Sequence, residues 1–492
     1  MTINKHVYDV VVIGGGSGGL VSASFLARLG LKVLLIDKSR ALGGDCLHYG
    51  SIPSKKLVSL AKIIKNYRQA KKYINEDIGF NQDDDLDVNI NFKKIVEDVN
   101  NTIRKVQRHE SLELFKEYGC DIILQEAQFI GTNTIAVGNK IVIGKKFIIA
   151  TGSSPYIPNI EGIDKASYFT NENILDLKKI PKQMVIIGAG SIGIEYAQIF
   201  ARLGSKVIVI ETLDRILSNF DKEQSNALKG ILENEGIKFY VNYQTVEIQR
   251  VLNRDDKLNT KIKLVSNLTN DTEELLTDCL FIAIGRKPNV NNLGLDNAGV
   301  NYSPHGIFVD TRLRTNIKNI YAVGDVTNNP MKFTHVAANQ AVILIKNIAF
   351  KIPAKIKNNL IPIVIYSDPE IVHIGTTKHL AEHNNIKYKE IKINLSELDR
   401  AIIDGDTKGS CKLIIKNKKI IGASILAANA SEYLPFLSHL IENKYNVDSL
   451  FNIIYPYPTK VEMFQQIVIK SYESVLFNSF TASFVRFLNK YF

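Results

Sequence analysis

The chain has 492 residues, a formal net charge of +11 and an apolar fraction of 45%. At ~150 residues per domain the length predicts about three domains, and the apolar fraction excludes a generally disordered chain. Its four cysteines, Cys46, Cys120, Cys279 and Cys411, are scattered without a CxxC pair, which excludes a disulfide scaffold and a zinc module and predicts a reducing compartment.

Val7-Tyr8-Asp9-Val10-Val11-Val12-Ile13 predicts a buried parallel strand. Gly14-Gly15-Gly16-Ser17-Gly18-Gly19 follows, then an apolar-periodic helix to about Leu29, a strand over Lys32 to Ile36, and Asp37. Only Met1 to His6 precede this run and no small-residue cleavage site follows it, so no secretory signal is expected. Six glycines, Asp9, Arg28 and Lys32 interrupt the apolar stretch, whereas a spanning helix runs ~20 residues unbroken. A soluble, cytoplasmic protein without a transmembrane segment is expected.

Gly43 to Lys55 carries the first cysteine. From about Lys65 to Gly119 two helices are expected around a polar loop, whose Asp83-Asp84-Asp85 run reads as solvated surface. The opening unit then recurs as Met184 to Ile187, Gly188-Ala189-Gly190-Ser191-Ile192-Gly193, a helix to Leu203, Lys206 to Ile210, and Glu211. From about Ile361 strands and helices follow without such a motif. Ser474 to Phe492 predicts a terminal apolar-periodic helix, expected to pack on the third domain rather than touch a membrane surface. Lys and Arg are spread along the chain and form no stripe with stacking aromatics, so no nucleic-acid partner is expected.

In both repeated units the acid lies 18 positions after the last motif glycine. One GxGxxG is weak evidence, but two copies, each between strand and helix and each with its acid, point to two dinucleotides. Gly14 and Gly188 permit the tight turn, Gly16 and Gly190 let a pyrophosphate approach the backbone, and Gly19 and Gly193 allow close helix–strand packing. The helix N-terminus presents free N–H groups to the phosphates, and the acid accepts from a ribose diol.

The segment Gly43-Gly44-Asp45-Cys46-Leu47-His48-Tyr49-Gly50-Ser51-Ile52-Pro53-Ser54-Lys55 resembles the redox-active segment of the class I pyridine nucleotide–disulfide oxidoreductases. That is the family of dihydrolipoamide dehydrogenase, glutathione reductase and mercuric reductase. Ala150-Thr151-Gly152 and Ala283-Ile284-Gly285-Arg286 resemble its two crossover turns, and Tyr321-Ala322-Val323-Gly324-Asp325 its second FAD-contact motif. Tyr457-Pro458-Thr459-Lys460-Val461-Glu462 sits where its C-terminal catalytic dyad is found. The resemblance runs from about Tyr8 to about Tyr472.

The family implies an α/β fold with two Rossmann-like dinucleotide-binding domains and a C-terminal α+β dimerisation domain. Applied here, residues 1–157 and 281–350 would bind FAD, 158–280 NAD, and 351–492 would form the interface of a homodimer. FAD would be held by Gly14, Gly16, Gly19, Asp37, Gly44, Lys55, Ala127, Thr151, Gly152 and Asp325. NADH would be held by Gly188, Gly190, Gly193, Glu211, Val246 and Gly285. Glu211 would meet a 2′-phosphate unfavourably, so NADH is preferred over NADPH. Catalysis would rest on Cys46, Ser51, Lys55, Glu195, Tyr457 and Glu462, with Lys55 and Glu195 as the ion pair near the flavin. No metal site is implied.

Two departures stand out. Ser51 occupies the position of the flavin-side cysteine, and a serine cannot form the cystine with Cys46. The residue is an engineered trap, or a natural loss of the relay, or the mark of a protein that uses Cys46 alone, cycling through sulfenic acid with peroxide. Tyr457 stands where dihydrolipoamide dehydrogenase has His, and a phenol of pKa ~10 shuttles protons poorly at neutral pH. Mercuric reductase and its relatives carry Tyr there, and Asp399 to Gly405 also looks like that branch. The C-terminal cysteine pair of mercuric reductase has no counterpart in Phe487 to Phe492. His335 reads as a helix-start residue rather than a base. The expected function is hydride transfer from NADH through FAD to a small-molecule acceptor of thiol or disulfide, quinone or metal type. The alternative is a catalytically degenerate flavoprotein retained for binding or assembly.

Overall fold

The computed structural model describes residues 6–70, 73, 90–252, 258–357 and 360–491. The Asp83-Asp84-Asp85 run lies outside the described residues. The chain divides into two compact units. The first draws on residues 1–188, 199–210 and 244–357, and the second on 189–198, 211–243 and 358–492. The boundary between the units falls inside the second glycine turn, between Gly188 and Ala189.

The first unit is built on a mostly parallel sheet. Its order is Cys120–Leu124, Val33–Asp37, His6–Ile13, Lys140–Ile149, then Thr134–Val137 and Ala127–Gly131, with Ile320–Ala322 also paired to Lys140–Ile149. The last two strands of the path join antiparallel; the others are parallel. The sheet is covered on both sides, which is why its central strands are continuous apolar runs. Val11, Ile13, Leu34 and Ile36 enter one core with Phe129 and Phe147. Val10, Val12, Val33 and Leu35 enter the other with Leu20, Leu26 and Leu344.

The helix Ser17–Arg28 buries Leu20, Ala23, Leu26 and Ala27 and gives way at Leu29 to Gly30, whose φ of 86° only glycine adopts readily. The second copy of the unit has strands Gln183–Ile187, Lys206–Glu211 and Cys279–Ile282 in parallel register, with the helix Ser191–Arg202 between the first two. Both sequence repeats are therefore strand–turn–helix–strand units, as the periodicity predicts.

The second unit holds a five-stranded antiparallel sheet in the order Ile363–Ile365, Glu370–Gly375, Lys419–Ala427, Ser410–Lys416, Lys389–Asn394. Helices Leu434–Glu442 and Met463–Leu476 cover one face through Leu437, Leu440, Phe464, Ile467 and Val468. The fold is the expected α/β class with a C-terminal α+β part. The terminal helix corrects one expectation. Ser479–Tyr491 is helical as its periodicity predicts, but none of its residues is buried. One face of the five-stranded sheet is already covered by the two preceding helices.

Candidate functional site

The first glycine turn is dictated by close approach. A Cβ on Gly14, at φ 109°, would lie 2.3 Å from the Ala150 carbonyl oxygen, and one on Gly19 would lie 1.8 Å from that of Gly14. Both positions require glycine for packing alone. Gly16 and Gly190 differ: a Cβ on Gly190 would meet no heavy atom within 4 Å, and one on Gly16 only the Gly44 Cα at 3.9 Å. Among the described residues, none fills the space at these two positions. Gly16 caps its helix without any side-chain acceptor, so the helix N-terminus has no side-chain cap and is open to an anionic group. Gly193 is buried.

The two acids are held in the same way. Asp37 accepts from the Gly15 N–H at 2.5 Å and the Ser39 N–H at 2.6 Å. Glu211 accepts from the Ala189 N–H at 2.8 Å and the Leu213 N–H at 3.0 Å. Each carboxylate is thus fixed beside its own glycine turn, with lone pairs left for a diol.

Gly43 adopts φ 116° and opens the short helix Gly44–His48, which carries Cys46. The Tyr49 and Gly50 N–H groups both donate to the Asp45 carbonyl, at 2.9 and 2.6 Å, and close the turn that leads into the helix Ser51–Ala70. Ser51 is the first residue of that helix and is half-buried, as is Cys46. Lys55, one turn on, donates to Ser54 Oγ at 3.2 Å.

A polar chain ties this turn to the crossover segments. Arg286 reaches Asp45 at 3.1 Å, and donates to the Ser153 carbonyl and hydroxyl, both at 2.7 Å. Ser153 Oγ donates in turn to Asp325 at 2.7 Å. Asn171 adds donors to Asp45 and to the Tyr49 carbonyl. Burial pushes the Asp325 carboxyl up, against the pull of Ser153 and Arg286. Thr151 Oγ1 donates to the Asn289 carbonyl and Asn289 returns a donor to the Thr151 carbonyl, so the two crossover turns are stitched together. Gly152 and Gly285 both leave open space where a Cβ would stand. Ala127 is buried in its strand, and Val246 is half-buried in Tyr243–Leu252. Sequence reasoning quoted Asp45 and Arg286 inside motifs but gave neither a role, and it passed over Ser153. The available signal was a charged residue embedded in each of two glycine turns.

Glu195 is buried in the helix Ser191–Arg202 and accepts from the Tyr366 N–H at 2.9 Å. It belongs to the second unit and Lys55 to the first. In the second unit the Tyr457 hydroxyl donates to Asp399 at 2.9 Å. That hydrogen bond, then the negative charges of Asp399 and Glu462, raise the phenol above its ordinary value. Glu462 forms a capping box with Thr459, accepting from its N–H at 3.3 Å. Lys460 lies between Asp404 at 3.2 Å and Asp406 at 2.8 Å, and fixes the segment to the loop after Asp399. Asp399 is thus a further residue whose role sequence reasoning missed.

Cys120, Cys279 and Cys411 are buried free thiols. Burial pushes Cys120 up to about 11 and Cys279 to about 12, and pushes Cys411 up as well. His335 is exposed at the start of Thr334–Ile348 with its ring stacked on Phe333. Among the described residues no group of three or more His, Cys, Asp or Glu side chains is arranged to hold a metal ion, and no helix is long and apolar enough to cross a membrane.

The sequence matches the family of pyridine nucleotide-disulphide oxidoreductases over residues 8–341 and that family's dimerisation domain over residues 361–468. A mercuric reductase of Lysinibacillus sphaericus is 30% identical over 464 residues, covering 94% of this chain and 82% of the relative. The mitochondrial dihydrolipoyl dehydrogenase of Sus scrofa is 31% identical over 469 residues, covering 93% and 89%. Among solved structures, the HOCl-induced flavoprotein disulfide reductase RclA of Escherichia coli aligns with a TM-score of 0.81 at 26% identity, over 93% of this chain and 99% of that one.

Proposed function

The chain belongs to the pyridine nucleotide-disulphide oxidoreductases, FAD-dependent enzymes, and we propose that it is a member that moves electrons from NADH to a small-molecule acceptor without a protein cystine between them. The observation that carries this reading is the contrast between two intact glycine turns, each with its anchored acid, and a redox segment with Ser51 in place of a sulfur. Bound FAD supplies the hydride acceptor and the onward electron donor.

For FAD we assign Gly14, Gly16, Gly19, Asp37, Gly44, Lys55, Ala127, Thr151, Gly152 and Asp325, in a domain of residues 1–157 and 281–350. For NADH we assign Gly188, Gly190, Gly193, Glu211, Val246 and Gly285, in residues 158–280. The open space beside Gly16 and Gly190 supports the two pyrophosphate positions. Glu211, held by two backbone N–H groups, is a fixed negative charge that accepts from a ribose 2′-hydroxyl and repels a 2′-phosphate. NADH is therefore the proposed donor. Lys55 and Glu195 are proposed to set the charge beside the flavin ring.

Cys46 and Ser51 together offer one thiol, so they cannot store two electrons as a dithiol. Cys46 is left as a soft ligand or a single nucleophile toward the acceptor. Tyr457, held by Asp399 and raised above its ordinary value, keeps its proton at neutral pH and positions or donates a hydrogen bond rather than shuttling a proton. Residues 351–492 are proposed to pair two copies into a homodimer, consistent with the dimerisation-domain match.

The same two departures, Ser51 and Tyr457, favour a second reading in which the flavoprotein has lost turnover and serves binding or assembly. One experiment separates them. Anaerobic NADH should bleach the flavin, and an added quinone or dye should restore its colour. A flavin that stays oxidised under excess NADH sinks the enzyme reading and leaves the second.

A further inference from the structure

We propose that the C-terminal helix, Ser479–Tyr491, seats this protein on an anionic lipid surface. The helix follows the residues that match the dimerisation domain, which end at 468, so it is an addition to the part the family uses for pairing. Phe480, Phe484, Phe487, Leu488 and Tyr491 recur at helical spacing and form one stripe. All five are 37–81% exposed, and no residue of the helix is buried. Leaving four aromatic rings and a leucine in water is costly, and a surface of that kind marks an interaction site.

Three observations choose lipid as the occupant. Arg486 lies away from the stripe, Lys490 flanks it with its ammonium 5.3 Å from the Tyr491 ring centre, and no Asp or Glu lies between residues 474 and 492, so the segment's charged side chains are all cationic. The same helix of a second copy would offer the same charge and no acid to match it. An anionic lipid surface offers apolar depth to the rings and negative charge to the basic side chains together. The helix is about 20 Å long at 1.5 Å per residue, and among the described residues no helix can span a bilayer. It would therefore lie in the interface plane, its aromatic stripe at the headgroup–acyl boundary. The overall charge of +11 adds long-range attraction to the same surface.

The test uses the full-length flavin-loaded protein and vesicles of equimolar phosphatidylglycerol and phosphatidylcholine. The protein should co-sediment with these vesicles, and removing the phosphatidylglycerol should lower binding roughly 10- to 30-fold. Phe480→Ser/Phe484→Ser/Phe487→Ser should reduce binding at least about tenfold, with flavin absorbance and NADH–dye turnover unchanged to show that the fold is intact. Arg486→Glu/Lys490→Glu should lower binding to the anionic vesicles while leaving phosphatidylcholine binding as it was. No co-sedimentation with the anionic vesicles overturns the proposal, and so does co-sedimentation that survives the triple substitution. A smaller oligomer for the triple variant in lipid-free light scattering also overturns it, since a second copy would then cover the stripe.

Discussion

At Gly14–Asp37 and at Gly188–Glu211 the chain builds one device twice. In each, a glycine turn joins strand to helix, and an acid is clamped by a turn N–H and by the N–H two residues beyond it. At Cys46–Ser51 the backbone is equally well made. Gly43 takes its left-handed φ, Asp45 closes the turn and Arg286 braces it, yet one side chain the relay needs is absent. On the proposed reading, backbone architecture and side-chain chemistry are separate here: the turns would hold two nucleotides, while Cys46 has Ser51 and not a second thiol beside it in the segment. The difference teaches that nucleotide binding and disulfide exchange can be tested independently in this molecule.

The largest expected effect breaks the first member of the comparison. Gly14→Ala would force a Cβ to 2.3 Å from the Ala150 carbonyl at φ 109°. It should destabilise the protein by about 3 kcal/mol or more, from strain and clash together, and prevent flavin retention. Gly16→Leu is its foil. The chain has room for that side chain at its base, so thermal unfolding of the flavin-free protein should change little while FAD affinity collapses. Equal losses of stability in both variants would mean that Gly16 is a packing glycine and not a ligand glycine.

The second prediction restores what the redox segment lacks. Ser51→Cys should create a long-wavelength thiolate–flavin band on two-electron reduction that the natural protein does not show. If the natural protein already shows that band, Ser51 is not the flavin-side position. Thiol labelling sharpens the same point. The thiolate is the reactive form, and burial holds Cys120 at about 11 and Cys279 at about 12. At neutral pH the native protein should therefore label at Cys46 alone, and at all four cysteines after unfolding. Rapid labelling of a second native cysteine would contradict the burial.

A smaller effect distinguishes the two acids. Glu211→Ala removes two backbone hydrogen bonds and the charge. The loss should raise KM for NADH about tenfold or more and leave NADPH nearly unaffected, narrowing the preference by a similar factor. A change of the same size for both coenzymes would indicate a structural role for Glu211 only.

How much of this was legible beforehand depends on sequence separation. The glycine turns and their acids are local patterns, and the structure has them as strand, turn and helix where periodicity places them; Gly43 to Lys55 was legible as a motif, but its helices Gly44–His48 and Ser51–Ala70 were not. The chain Asp45–Arg286–Ser153–Asp325 was not legible, because its members come from four distant stretches that only the folded crossover turns bring together. The terminal helix was legible as a helix and misread in its packing. An apolar stripe predicts that a face wants covering, but the number of helices already on the five-stranded sheet is a tertiary fact.

The smallest expected effect concerns Tyr457. Its phenol is raised above the ordinary value chiefly by the hydrogen bond to Asp399, then by that carboxylate's charge. A group whose folded pKa is raised contributes its stabilisation fully below the unfolded value, ~10 for tyrosine, and loses it as pH climbs through the folded one. The Tyr457–Asp399 link should therefore be intact across the neutral range and weaken only in strong alkali. In Asp399→Asn both causes are weakened, so the tyrosinate of residue 457, followed by ultraviolet difference absorbance against a Tyr457→Phe control, should form at lower pH than in the natural protein. The NADH–acceptor rate near neutrality should stay level, because the phenol remains protonated there in either protein. A rate that instead acquires a break near neutral pH in the natural protein, and loses it in Tyr457→Phe, would make this tyrosine a proton shuttle after all. The C-terminal segment would then have kept the acid–base work that the change from imidazole to phenol otherwise removes.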